Sequence, residues 1–339
     1  MPFEQSEAPK IIVEKRAEKT SMDTPEYRKL GEHGECVFLT NTGVAQGKGN
    51  EDGLAIVATK NVVTLFVSDG IGGPGNGDIA TAMCCDAVIA TAQSEDNDLD
   101  AISEAMEKNI NTHPVLLPQQ GCCYSLTRIE NNLLTTRHNG DVRTIVIRDG
   151  SVIFATEDDG ETAWERRAYM DTSISKRNNA YSTVTFTLEP GDIVLLCSDG
   201  VTDNVDVRIE STSRFTDQDQ KDADAGNAIL ANMIIKHKEE KSLMAVGKEI
   251  QRYIEQRMKA FETKKLELWT KPTEKILATY QKDLTRKLAE KNPQPTGDEL
   301  EKFRTRIYNK IITTITQQFL TAKPDNFTYI LYRHGTSET

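Results

Sequence analysis

The stretch "LFVSDGIGGPGNGDIATA", from Leu65 to Ala82, joins three local patterns. An apolar run predicts a buried strand that ends at Asp69-Gly70, a glycine-rich segment follows it, and Asp78 begins a sequence typical of a helix. A glycine loop that enters a helix is typical of phosphate binding, whereas an acidic residue at a strand end favours a metal cation. The loop lacks the Gly-Lys-Ser/Thr ending of a nucleotide-binding loop, so the metal interpretation is favoured.

Composition excludes several classes of function. The formal charge of −11 over 339 residues argues against a dedicated nucleic-acid-binding protein, which needs a positive face to replace phosphate counterions. No apolar run approaches the roughly 18 residues of a membrane span, and the N-terminus lacks the pattern of a secretory signal, so we expect a cytoplasmic protein without a transmembrane segment. The six cysteines show no C-x-x-C spacing and are expected to pack in the core rather than to bind zinc.

Short β-runs separated by turn residues extend outward from the opening stretch in both directions. Because few helices lie between them, these runs predict antiparallel pairing. Two helices, Asp78–Thr91 and Leu99–Asn111, are expected on the outside, which makes the fold class α+β. The predicted strands are Leu54–Thr59, Val62–Val67, Cys122–Arg128, Leu133–His138, Val142–Arg148, Val152–Ala155, Thr183–Leu188, Ile193–Cys197 and Phe327–Tyr332.

The chain divides into four predicted parts. Residues 1–30 are expected to form a polar, mobile or loosely docked arm, residues 31–204 the main core, residues 205–322 a helical insertion, and residues 323–339 the last core strand and the C-terminus. Within the insertion, Ala225–Leu268 has helical spacing, and as one helix it would reach about 65 Å unless bent at Gly247.

The helical insertion is basic although the whole chain is acidic. Residues 226–322 carry 19 Lys and Arg against 12 Asp and Glu, which leaves a net charge of −18 on the remainder. Such charge either forms a solvated helical face or recruits an acidic surface, so a protein partner for residues 226–322 is one expectation and extra packing is the other.

Acidic residues recur where apolar runs end or tight loops begin. Several carboxylates that meet at one rim of a sheet cannot all stay ionised without a cation. Mg²⁺ or Mn²⁺ accepts such oxygen ligands, and two ions about 3.5–4 Å apart can generate a bridging hydroxide that attacks phosphorus. The acidic positions lie in Asn50-Glu51-Asp52, Asp69-Gly70, Gly140-Asp141, Ser198-Asp199-Gly200 and Asp325-Asn326.

The order of these motifs resembles that of the metal-dependent serine/threonine protein phosphatases of type 2C, the PPM family. The resemblance covers about residues 33–204 and 323–333. It implies a β-sandwich of two antiparallel sheets flanked by helices, with the large helical insertion before the last core strand. The motifs are GNED (49–52), FVSDGIGGPGNGDIA (66–80), NGDVR (139–143), LEPGDIVLLCSDGVTD (188–203) and KPDNFT (323–328).

The resemblance also implies a role for each acidic residue. Asp69 would bridge two Mg²⁺ or Mn²⁺ ions and, with Asp199, act catalytically through the metal-bound water. A third, more labile ion is also implied. The remaining ligands would be Glu51 and the Gly70 carbonyl on the first ion, with Asp52 acting through water, then Asp199 and Asp325 on the second ion, and Asp141 with Asp199 on the third.

Three positions depart from the family pattern. Gly47 stands where the family commonly has a phosphate-binding arginine, and the adjacent Lys48 is the candidate replacement as a point charge. Ile71 stands where some members have histidine, and Val142 replaces a serine.

We therefore expect a Mg²⁺- or Mn²⁺-dependent phosphatase that hydrolyses phosphoserine or phosphothreonine in proteins, with a phosphoprotein as substrate. Two alternatives stay open at this stage. One is a catalytically silent scaffold that uses the basic insertion to bind a partner, and the other is a phosphatase for a non-protein phosphate ester.

Overall fold

The computed structural model contains two antiparallel sheets with helices packed against them. It describes residues 12–16, 21–43, 49–71, 76–94, 98–116, 120–157, 181–205, 217–237, 242–291, 293–320 and 325–335. The α+β class and the two antiparallel sheets predicted from the sequence are confirmed.

The first sheet is built around long apolar strands in the order β1-β4-β5-β6-β7-β10. Strand β5 pairs with β4 and β6 on its two sides, so it is an interior strand. That position explains its nearly continuous apolar sequence, since both faces of the strand are covered. The strands are β1 (Ile12–Arg16), β4 (Gly53–Ala58), β5 (Val62–Gly70), β6 (Cys122–Glu130), β7 (Leu133–Asn139) and β10 (Ser182–Thr187).

The second sheet has the order β2-β3-β12-β11-β8-β9. The last strand of the chain, β12, lies between β3 and β11, so the chain returns to the centre of this sheet after the helical segment. The strands are β2 (Glu26–Lys29), β3 (Gly34–Asn41), β8 (Arg143–Arg148), β9 (Ser151–Ala155), β11 (Ile193–Cys197) and β12 (Phe327–His334).

Two long helices cover the outer face of the first sheet. Helices α1 (Gly77–Ala92) and α2 (Leu99–Thr112) bury small and branched side chains against strand residues such as Phe66 and Leu126. Asp98 caps α2 by accepting a hydrogen bond from the Ala101 N–H at 2.9 Å. The other described helices are α3 (Asp199–Thr202), α4 (Asp217–Lys236), α5 (Leu243–Thr270), α6 (Glu274–Ala289) and α7 (Gly297–Leu320).

The structure corrects the predicted N-terminal arm. Strand β1 pairs with β4, and β2 pairs with β3, so two segments of residues 1–30 are edge strands of the sheets. The backbone hydrogen bond from Met22 to Thr40, 2.8 Å long, adds to this docking. Polar composition suggested an arm, but an edge strand with one face toward solvent is also polar.

The start of the separate helical part also differs from the predicted residue 205. The chain forms two compact units, residues 1–252 with 325–339 and residues 253–324. Helix α4 and the first third of α5 belong to the first unit, here called the sandwich unit. The Tyr329 hydroxyl donates to the Gly247 carbonyl at 2.8 Å, and the Gln251 amide donates to the Asp23 carbonyl at 2.8 Å. The single helix Ala225–Leu268 is replaced by two, with α4 ending at Lys236 and α5 beginning at Leu243.

Residues 253–324, here called the helical unit, have their own apolar core. Leu268, Ile276 and Ile312 are buried in one cluster drawn from three helices. Tyr308 makes edge contacts with Trp269 and Tyr280, with ring centroids 4.7 and 5.2 Å apart. Within the part of the chain that the structure describes, no helix has the length and apolar character required to cross a membrane.

Candidate metal centre

Strand register brings the predicted acidic residues to one end of the sandwich. Asp69 lies near the end of β5, and Gly53, directly after Asp52, pairs with Ser68 beside it. In the second sheet Cys197 pairs with both Tyr329 and Arg143, which brings Asp199, Asp325 and the turn that contains Asp141 to the end of their strands.

Glycine at position 70 permits the close approach of three backbone segments. A Cβ there would lie 2.5 Å from the Gly77 carbonyl oxygen and 2.6 Å from that of Glu51. The Glu51 carbonyl accepts hydrogen bonds from the Gly70 N–H at 3.1 Å and from the Thr81 hydroxyl at 2.9 Å. These backbone contacts therefore hold the end of β5 against the loop before β4 and the start of α1.

Gly200 likewise permits a close approach of backbone segments in the second sheet. Helix α3 begins at Asp199, directly after β11, and a Cβ on Gly200 would overlap the Asn326 carbonyl. The Ser198 N–H donates to the Thr328 carbonyl at 3.0 Å, which fixes the segment before Asp199 against the one after Asp325. Any larger residue at position 200 would push these two acidic segments apart.

Asp52 is the most deeply buried carboxylate of the group. Its side chain accepts a hydrogen bond from the Ser198 hydroxyl at 2.7 Å, and its N–H donates to Asn50 Oδ1 at 3.1 Å. Burial raises the pKa of Asp52 well above its ordinary value, and the negative charges of Asp199 and Asp325 raise it further. The hydrogen bond from Ser198 lowers this pKa and so opposes burial.

Asp69 lies at the electrostatic centre of the group. Burial is the largest cause that raises the pKa of its carboxyl well above the usual range. The carboxylates of Asp199, Asp52, Asp141 and Asp325 raise this pKa further, in that order of effect. Four acidic side chains from separate segments thus repel the charge on Asp69, and a bound cation would relieve that repulsion.

The donor set fits a hard divalent cation. The carboxylates of four other aspartates act on Asp69, and Mg²⁺ and Mn²⁺ prefer such oxygen ligands. Across the ranges that the structure describes, no group of three or more His, Cys, Asp or Glu side chains is already arranged so as to hold a metal ion. The observation that supports a cation is therefore the mutual repulsion of the carboxylates, not preformed coordination geometry.

Lys48, the predicted phosphate contact, lies outside the described residues, as does Gly47. The prediction for Lys48 is therefore untested by the structure. Glu51 and Gly70 lie at the same end of the sandwich as Asp69, joined by the hydrogen bond between their backbones.

Sequence reasoning missed the uncharged partners of the carboxylates. Ser198, Thr328, Thr40 and Asn50 are all buried around Asp52. Cys123 was expected only to pack, yet its thiol lies near Asp141 and Asp69, and burial together with these charges raises its pKa well above the usual value. Serine and threonine are common in turns, so their presence alone does not indicate a site. The one available signal for Ser198 and Thr328 was their position inside the quoted motifs.

A family model described as protein phosphatase 2C matches residues 42–234. This match covers more than half of the chain and includes four of the acidic motifs. A search of curated proteins returned no match.

Solved serine/threonine phosphatases resemble the chain in fold. One from S. agalactiae has 16% identity and a TM-score of 0.48, over 88% of this chain and 98% of that one. The Mycobacterium tuberculosis phosphatase PstP has 14% identity and a TM-score of 0.45, over 92% of this chain and 99% of that one. The catalytic domain of PstP in complex with two manganese ions has 15% identity and a TM-score of 0.46, over 92% and 100%. Because identity this low bears on fold alone, the family assignment rests on the match over residues 42–234.

Proposed function

The chain belongs to the protein phosphatase 2C family, and from this premise we propose that it is a Mg²⁺- or Mn²⁺-dependent phosphatase acting on phosphoserine and phosphothreonine in proteins. One observation carries the proposal. Asp69 interacts electrostatically with four other acidic side chains that arrive from separate segments at one end of the sandwich. Carboxylates gathered in this way are costly to a fold unless they bind cations.

The side chains of the centre have distinct proposed roles. Asp69 would hold two cations together, with the Gly70 carbonyl and Glu51 on one side and Asp199 and Asp325 on the other. Asp52 would act through water beside Glu51, and Asp141 would join Asp199 in holding a third, weaker ion. When bound, such cations supply Lewis acidity, which lowers the pKa of water and offsets negative charge on the phosphate ester.

The protein contributes orientation and a fixed charge distribution. The Glu51 carbonyl is held by two donors, and Ser198 is held by Thr328, so the acidic side chains start from rigid backbone. Preorganised charges lower the barrier because they need not rearrange as charge develops on the phosphate. Asp69 and Asp199 therefore make the largest proposed contributions to turnover.

Turnover of two substrates tests the proposal. Hydrolysis of p-nitrophenyl phosphate and of a phosphothreonine peptide is measured with and without Mn²⁺ for the wild type, for Asp69→Asn and for the matched control Asp86→Asn. Asp86 is exposed on α1. We expect Mn²⁺-dependent turnover of both substrates, reduced about 100-fold or more by Asp69→Asn and unchanged by Asp86→Asn.

Each other outcome identifies an alternative. Turnover of the small ester without turnover of any phosphopeptide would favour a non-protein phosphate ester as substrate. No turnover and no Mn²⁺ binding by a folded protein would contradict the proposal and favour a silent scaffold.

We also propose that the helical unit binds an acidic protein partner. Residues 253–324 carry 15 Lys and Arg against 9 Asp and Glu, which leaves a net charge of −17 on the remainder of the chain. Leu266 is 64% exposed and Leu277 is 48% exposed, so large apolar side chains accompany this positive charge at the surface. Loss of partner binding without loss of small-ester turnover is the result that supports this role.

A further inference from the structure

Five polar side chains form a buried network in which Asp52 is the acidic member. Its members come from strands β3 and β12 of the second sheet, from the residue after β11 and from the loop before β4, and each is at most 2% exposed. Buried polar groups in such a network are stable only when every member is paired. The members are Thr40, Asn50, Asp52, Ser198 and Thr328.

Ser198 makes the shortest contact to the carboxylate. Its hydroxyl donates to Asp52 Oδ2 at 2.7 Å and accepts from the Thr328 N–H at 3.0 Å. The backbone of β12 therefore fixes the Ser198 hydroxyl, and this hydroxyl orients the Asp52 carboxylate. Since Ser198 directly precedes Asp199, the same backbone also carries a proposed ligand.

Thr328 completes the other half of the network. Its hydroxyl donates to Thr40 Oγ1 at 2.7 Å. The Asn50 amide donates to the same Thr40 oxygen at 2.5 Å, and Asn50 Oδ1 accepts from the Asp52 N–H at 3.1 Å. The contacts therefore close a ring that begins and ends at Asp52.

This ring joins the three segments that carry most of the proposed ligands. Residues 50–52 precede a strand of the first sheet, whereas Ser198 and Thr328 belong to the second sheet and its loops. Stability alone does not require such a ring, because well-packed apolar side chains of similar size serve as well in a core. The ring differs from ordinary core polarity in that one of its members is a carboxylate, which the Ser198 hydroxyl holds.

We propose that Ser198 and Thr328 are positioning residues for divalent-cation binding. Ser198 holds the Asp52 carboxylate in the required orientation, and Thr328 fixes Ser198 through its N–H and Asn50 through Thr40. This inference rests on the proposed function, since it assigns the ring a purpose at the same centre. Hydroxyl and amide partners that orient the surroundings of a metal typically change its affinity by about 10- to 100-fold when removed.

A second buried hydroxyl cluster in the same sandwich supplies the matched control. Thr136 lies 3.3 Å from the Ser125 hydroxyl and 3.1 Å from that of Thr144, and it accepts from Thr127 at 2.9 Å. All four side chains are fully buried, and the hydrogen bonds that Thr136 makes within this cluster join hydroxyls to hydroxyls. Thr136→Val therefore removes a buried hydroxyl of the same chemistry without touching the Asp52 ring.

The experiment measures Mn²⁺ affinity by calorimetry on the full chain, together with the thermal unfolding midpoint of the metal-free protein. The variants are Ser198→Ala, Thr328→Val, Thr328→Ser and Thr136→Val. We expect Ser198→Ala and Thr328→Val to weaken Mn²⁺ binding about tenfold or more, and Thr328→Ser to stay within about threefold of the wild type. We expect Thr136→Val to lower the unfolding midpoint without changing Mn²⁺ affinity.

The outcomes separate this inference from the proposed function. If the wild type binds Mn²⁺ and both hydroxyl-removing variants bind it equally well, the positioning role is wrong and the proposed function stands. If the wild type binds no Mn²⁺, both are overturned. Should Ser198→Ala fail to fold, the difference between Thr328→Val and Thr328→Ser still decides the question.

Discussion

The sandwich unit and the helical unit differ in what they bury. The sandwich encloses hydroxyls, an amide and the carboxylates of Asp52 and Asp199 in its interior. Among the described residues of the helical unit, the buried polar side chain is Thr316, whose hydroxyl donates to the Ile312 carbonyl of its own helix at 2.7 Å. Buried polar groups cost stability unless they are fully paired or bind a ligand. We therefore assign the proposed chemistry to the carboxylates of the sandwich and the proposed partner recognition to the surface of the helical unit.

The largest loss of turnover is expected from substitution of an acidic residue of the candidate metal centre. Asp199→Asn should reduce Mn²⁺-dependent turnover of p-nitrophenyl phosphate about 1,000-fold, because several kcal/mol of transition-state stabilisation depend on bound cations. Asp283→Asn, in helix α6 of the helical unit, is the matched control and should leave turnover unchanged. Equal turnover by Asp199→Asn and wild type would contradict the assignment.

A core substitution in the helical unit tests whether the two units are energetically separable. Ile312 is fully buried in the helical core, so Ile312→Ala should lower the free energy of unfolding of that unit by about 3 kcal/mol. Trp269 reports on this unit, and a Trp164→Phe background makes it the single tryptophan of the chain. Denaturant titration followed by Trp269 fluorescence should show the loss, while small-ester turnover in buffer stays at the wild-type rate. Loss of turnover in parallel would contradict the separation of roles.

Charge reversal tests the surface role of the helical unit. Lys259, Lys275 and Lys282 are exposed, and their triple substitution by Glu should weaken binding of an acidic protein partner about tenfold or more. The same variant should hydrolyse p-nitrophenyl phosphate at the wild-type rate. Lys108→Glu, exposed on α2 of the sandwich unit, is the control and should leave partner affinity unchanged.

The smallest expected effect concerns one ion-pair cluster in each unit. Glu249 accepts from Lys236 at 2.8 Å and contacts His237 at 2.6 Å, and these partners lower its pKa, with Lys236 the larger cause. Glu249→Gln should therefore cost about 1 kcal/mol at neutral pH. Glu267→Gln breaks the exposed pair with Lys264 in the helical unit and should cost about 0.5 kcal/mol or less.

The pH dependence of the Glu249 effect has a definite sign. Because the folded-state pKa lies below the ordinary value of 4.5, the stabilisation is present above that value and is lost as the pH falls through the folded-state pKa. Urea titrations from pH 7 down to pH 3 should show the wild type and Glu249→Gln converging. A difference that grows on acidification would contradict this sign.

Most strands of the sandwich could be predicted from sequence because apolar runs and turn residues are local signals. Ile193–Cys197 was predicted with its observed bounds, and Leu99–Asn111 falls one residue short of α2. The division between the units could not be predicted, because it falls at Tyr253 inside the continuous helix α5. Helical periodicity reports that a face is buried but does not report which partner buries it.

The candidate site, like the fold, could be predicted only in part from the sequence. The acidic residues beside glycine could be predicted from the sequence. Their carboxylates recur where apolar strands end, and such a repetition is unusual next to a core. Ser198 and Thr328 lie within the quoted motifs, but the contacts of Ser198 to Asp52 and of Thr328 to Ser198 depend on the pairing of β11 with β12 and could not be derived from spacing. The polar ring is a property of tertiary structure, and only coordinates show it.

Anomalous scattering from Mn²⁺ in crystals of the chain, wild type and Asp69→Asn, would locate the proposed cations. We expect two strong peaks about 3.5–4 Å apart beside Asp69 in the wild type, and their loss in the variant. Absence of manganese from this end of the sandwich at saturating Mn²⁺, or unchanged peaks in Asp69→Asn, would contradict the assignment of the acidic residues as a metal centre.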